Sequence, residues 1–73
     1  MTRNHETFRT AGEALFGVSW QSDLARELGV SVRNVQRWAN GSIPIPDGVW
    51  DDLTSILRGR GRDLAVLADK LAS

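Results

Sequence analysis

Four residues in the middle of the chain carry side chains suited to selective recognition: Val32, Arg33, Gln36 and Arg37. An arginine presents a rigid fork of donors that pairs with O6 and N7 of guanine. Glutamine makes the corresponding pair with adenine, and a valine methyl meets the methyl of thymine. Ser31 and Asn34 stand beside them with a hydroxyl and an amide, which together with the N–H groups of a helix N-terminus suit phosphate. The local charge agrees with this chemistry. From Leu28 to Pro46 there is no carboxylate, whereas Arg33 and Arg37 both lie in that stretch. Acidic residues gather on either side, at Asp23 and Glu27 and at Asp47, Asp51 and Asp52. Nine basic and nine acidic residues leave a formal net charge of zero, but the distribution of charge decides more than its sum. A positive face on a neutral molecule is enough to hold DNA with modest non-specific affinity.

The elements that must position these residues are read from Gln21 to Asn40. Leu24, Ala25 and Leu28 form the inward stripe of a short helix. Gly29 ends it where a left-handed residue is cheapest. Val30 plugs the corner, and Ser31 is a good N-cap for a second helix over about 32–39. Val35 and Trp38 are the buried face of that helix, which leaves Val32, Arg33, Gln36 and Arg37 outward. Ala25 is small where two steeply crossing helices must nearly touch. This is the pattern of a helix-turn-helix, whose second helix reads the major groove.

At Gln21, Ala25, Gly29, Val35 and Trp38, and on into Asn40-Gly41, the chain resembles the Cro/C1-type repressors of phages and bacteria. The resemblance implies that Val32, Arg33 and Arg37 read bases and that Gln21 contacts phosphate and braces the recognition helix. It also implies that the Asn40-Gly41 corner leads into a loop holding the DNA backbone, with Asn40, Ser42 and the backbone of Ile43 as candidates. Short free-standing proteins of this type look like Cro-like phage regulators, anti-CRISPR-associated (Aca) repressors and antitoxins.

Met1 to Asn4 are polar and expected to fray. Phe8, Ala11, Leu15 and Phe16 mark the inner stripe of a first helix from His5 to Phe16, closed by Gly17, in which Gly12 costs about 1 kcal/mol relative to alanine. Arg3, His5 and Arg9 belong to a solvated face of this scaffold helix. Ser19 is a candidate cap for the next helix, and Trp20 a core residue. After Asn40-Gly41, Ile43 and Ile45 cover the core, Pro44 and Pro46 stiffen the loop, and Pro46 is suited to open the following helix. Trp50, Leu53, Leu57, Arg60, Leu64, Leu67 and Leu71 then step by three and four in a heptad register with one arginine in the seam. Unbroken register favours one helix from Asp47 to Ala72, while Gly59 and Gly61 leave two helices open. The leucines exceed what so small a core needs, so Trp50, Leu53, Leu57, Leu64, Leu67 and Leu71 are assigned to dimerisation. Arg58-Gly59-Arg60-Gly61-Arg62 has the Arg-Gly-Arg of a minor-groove AT-hook without its prolines. Salt bridges to Asp51, Asp52 or Asp63, or plain solvation, are the better expectation.

The predicted fold is all-α: a small helical helix-turn-helix domain of four to five helices with a C-terminal helix used for dimerisation. Residues 4–46 form the DNA-binding part and 47–73 the dimerisation part of one domain. At 73 residues, a lone core is marginal, which also favours a dimer. With no cysteine and only His5 as an imidazole, no metal site, cofactor or catalytic group is expected. No apolar run suggests a membrane span and no secretory signal is visible, so a soluble cytoplasmic protein is expected. The expected function is a sequence-specific repressor, not an enzyme. It binds an inverted-repeat DNA operator as a homodimer, autoregulates its operon, and needs no small-molecule effector. The alternatives are an antitoxin-type regulator and a protein-interaction module that no longer binds DNA.

Overall fold

A computed structural model describes residues 3–72. Met1, Thr2 and Ser73 lie outside the described residues. The architecture is all-α, with no strand among the described residues. Helix α1 spans His5–Phe16, α2 Trp20–Leu28, α3 Val32–Ala39 and α4 Asp47–Ala72.

Asn4, expected to fray, instead starts α1. Its extended backbone turns the side-chain carbonyl onto the helix, where it accepts from the Thr7 amide at 2.8 Å. A single 3-10 turn, Gly17–Ser19, then runs directly into α2. This removes the expected capping role of Ser19. Its φ of −93° and ψ of 26° are nearly helical, so its hydroxyl makes no cap bond; an N-cap needs an extended backbone to reach forward.

The turn between α2 and α3 closes as the sequence predicts. Gly29 is left-handed at φ 71°. Its N–H donates to the Arg26 carbonyl at 3.3 Å, and the Val30 N–H donates to Ala25 at 3.0 Å. This paired bonding is a Schellman closure, which satisfies carbonyls that the helix end would leave orphaned. The same device recurs after α3. Gly41 has φ 80°, and Ser42 N–H donates back to Arg37 at 3.0 Å. α4 begins one residue later than the proline that was expected to open it. Pro46 caps from outside, its carbonyl accepting from Val49 at 3.0 Å.

The helices converge on Phe8, which is fully buried. Trp20 of α2, Trp38 of α3 and Trp50 of α4 each meet its ring edge-on, with centroids 5.8, 6.1 and 6.0 Å away. Edge-to-face geometry sets the positive rim of one ring against the negative face of another, which adds to the area buried. Leu24, Ala25, Val35, Ala39 and Leu53 complete the core.

α4 is one continuous helix of 26 residues, running through Gly59 and Gly61. Its two halves have different surroundings. Trp50 and Leu53, expected at a dimer seam, are 8% and 2% exposed within this chain's own core. A three-and-four spacing serves an intramolecular core as readily as a coiled coil, and here α1 covers the first turns. From Arg60 to Ala72 every residue is exposed. At 1.5 Å per residue the stretch beyond Arg60 projects about 18 Å, consistent with overall extents of 47 × 23 × 18 Å. No helix among the described residues is long and apolar enough to cross a membrane.

Candidate nucleic-acid interface

α3 is short and strongly two-sided. Val35, Trp38 and Ala39 are buried, so the opposite side of the cylinder must face out. At about 100° per residue, Val32, Gln36, Arg33 and Arg37 fill an arc of about 140°. Val32 is 38% exposed, and Arg33, Gln36 and Arg37 are exposed. Among the described residues, neither Arg33 nor Arg37 is engaged by a carboxylate, whereas Arg3 pairs with Asp51 and Arg26 with Asp23. Two cationic forks and one amide therefore share a face with no internal acceptor to neutralise them.

The N-terminus of α3 is built by Ser31. Its backbone is extended, and its hydroxyl oxygen accepts from the Asn34 N–H at 3.2 Å. That bond satisfies the third amide of the helix. The first two, on Val32 and Arg33, have no intrahelical acceptor by the geometry of any helix start. A negatively charged oxygen is favoured there by both N–H groups and the helix dipole. Asn34 is half-buried and Gln21, in the first turn of α2, is half-buried too. Replacing Ser31 with alanine removes the cap and should lower stability by about 1 kcal/mol, measured as a shifted urea midpoint at constant slope. An unchanged midpoint would show that water replaces the hydroxyl without loss.

Asn40 and Ser42 sit as expected in the exposed loop after α3, but they largely satisfy each other. The Asn40 side-chain carbonyl accepts from the Ser42 N–H at 2.9 Å and from the Ser42 hydroxyl. The Ser42 N–H is also bonded to Arg37. Asparagine side chains commonly close such a turn on themselves. What this loop has left for a phosphate is the Asn40 side-chain NH2 rather than its oxygen or the Ser42 amide.

Two residues behind the loop gain a role that sequence reading missed. Arg9 of α1 donates to the Ala39 carbonyl at 3.3 Å, tying the scaffold helix to the C-terminal end of α3. The His5 ring lies against Gly41, its Nδ1 3.4 Å from where a Cβ would stand. Both contacts join residues thirty or more positions apart, which no local spacing announces. The basic cluster on α4 is helical, which excludes the extended backbone of an AT-hook. Arg58, Arg60 and Arg62 are exposed, and the Arg60 guanidinium stands over the Phe16 ring at 5.6 Å.

Compared with known protein families, with curated proteins and with solved structures, the chain finds no match.

Proposed function

We propose that the chain is a sequence-specific DNA-binding repressor that acts as a homodimer on an inverted-repeat operator. α2, the Gly29 turn and α3 make a helix-turn-helix in this reading, and α3 lies in the major groove. Arg33 and Arg37 pair with guanines, Gln36 with adenine, and Val32 packs on a thymine methyl. Gln21, Ser31, Asn34 and the Asn40 amide hold phosphates and set the register without carrying sequence information. The observation that carries the reading is the outward face of α3. Its two unpaired arginines and glutamine are fixed in place because Val35 and Trp38 lock the other side of the helix into the core.

Repression then follows from occupancy, through blocking of RNA polymerase at an operator, simplest for the protein's own operon. In this reading the protein works in the cytoplasm without a small-molecule effector, as a Cro-like or anti-CRISPR-associated (Aca) phage regulator or an antitoxin would. The exposed leucines of α4 supply the contact between copies. Twofold symmetry predicts half-sites about 34 Å apart, or a multiple of that.

Selection of bound sequences from random DNA tests the proposal directly. An enriched inverted repeat is expected. With that site in hand, Arg33→Ala and Arg37→Ala should each cost about 1–3 kcal/mol on the operator and leave random-sequence binding nearly unchanged. Equal losses on both DNAs would mean that the arginines only neutralise phosphate. A second reading, a protein-interaction module, is favoured by Leu64, Leu67 and Leu71 standing exposed on a chain of zero net charge. Absence of any enriched sequence at low salt would leave that one standing.

A further inference from the structure

Beyond Arg60, α4 carries Leu64, Leu67 and Leu71 into solvent at 59, 52 and 80% exposure. At about 100° per residue these leucines share a face with Leu53, which is buried in the core. The stripe that seats α4 on the globule therefore continues past its edge with nothing over it among the described residues. We infer that a second copy of the chain covers it, and that the two projecting halves of α4 run antiparallel. The inference rests on the homodimer proposed above and fixes its polarity.

Three features select the antiparallel arrangement. Arg60 lies in the seam, at the foot of the projection, with its guanidinium drawn over Phe16. A parallel pair would set each Arg60 against its symmetry mate, charge against like charge. An antiparallel pair with Leu64 opposite Leu67 of the second copy sets Arg60 opposite Leu71, beside the negative C-terminal end of the other helix. Next, Asp63 and Lys70 are seven residues apart and flank the seam on one side. Antiparallel packing brings each Asp63 to the other copy's Lys70, whereas parallel packing pairs neither. That flank opens onto a hollow of about 500 Å³ whose walls include Glu27, Gly59, Arg60 and Asp63, so an incoming ammonium meets two carboxylates. Finally, the opposite flank carries Gly61 and Ala68. Small side chains there let the helices close in, and Gly61 has open space around its absent Cβ.

The chain has no cysteine, so Gly61→Cys and Ala68→Cys each introduce a single thiol. The two variants are mixed and treated with a short thiol-to-thiol cross-linker, and the products are mapped by mass spectrometry. Adducts joining position 61 to position 68 are expected; adducts joining 61 to 61 or 68 to 68 overturn the antiparallel pairing. Solution mass is measured alongside. A dimer that gives no 61–68 adduct overturns this pairing and keeps the homodimer, whereas a monomer at micromolar concentration overturns both. DNA selection on the same sample reports on DNA binding independently. Lys70→Asp should weaken the dimer about tenfold, and adding Asp63→Lys should restore it. A double variant as weak as the single one would overturn the Asp63–Lys70 contact.

Discussion

Alanine at position 12 should destabilise the domain by about 2 kcal/mol or more net, although alanine is the better helix former. Gly12 is buried in α1, and a Cβ built there would lie 2.1 Å from Trp20 Cε3 and 2.7 Å from two further ring atoms. Moving the indole aside would break its packing, since it is 5% exposed and edge-on to Phe8. Overpacking a rigid core commonly costs about 1–3 kcal/mol and sometimes more, against which helix propensity returns about 1 kcal/mol. An overlap this deep belongs at the upper end. Gly48→Ala is the control. That glycine also lies in a helix but has nothing within 4 Å of its missing Cβ, so the same exchange should stabilise by about 0.4–1 kcal/mol. Urea denaturation of the two variants should give midpoints displaced in opposite directions. Displacement of both to higher urea would show that Trp20 moves aside freely.

Phe8→Ala is expected to cost about 3–5 kcal/mol. A domain of this size has a total stability of roughly 4–11 kcal/mol, so much of the population would unfold at physiological temperature. The loss is large because one ring is shared. Removing it creates a cavity and also deletes three edge-to-face contacts, one to each of the other helices. α3 is then held by less, and the proposed DNA binding should fall with stability even though no side chain on the outward face of α3 has changed. Circular dichroism with denaturation, run beside a gel shift, checks both. A loss under about 2 kcal/mol would mean that the tryptophans collapse into the space.

What the sequence announced were the features encoded by neighbours in the chain. The bounds of α3, the Gly29 closure, the Ser31 cap and the inward Val35 and Trp38 all follow from rules spanning a few residues. Positions that depend on distant partners are not legible from local spacing. Gly12 reads as a weak spot in a helix until Trp20 is seen against it. Arg9 looks like surface charge until Ala39 is folded back to meet it. Trp50 and Leu53 share one unbroken register with Leu64, Leu67 and Leu71, and spacing alone cannot say where the globule stops covering the helix. Ser19 has the chemistry of a cap but not the backbone, because a 3-10 turn fills the gap that a cap requires. For the outward face of α3, residue types limit which bases could be paired under the proposed function. The order in which those bases follow one another is set by contacts that only the complex contains.

The meeting of three indoles on one phenyl ring has an optical consequence. The chain contains three tryptophans and no tyrosine, and α2, α3 and α4 carry one indole each while α1 carries none. Every helix that docks on α1 brings its own chromophore to the same point. Near-ultraviolet dichroism and the blue shift of emission thus follow all three docking events without any attached label, and variants retaining a single tryptophan would time each one separately. None of the three indoles lies on the outward face of α3, so light from this core reports how firmly that helix is mounted.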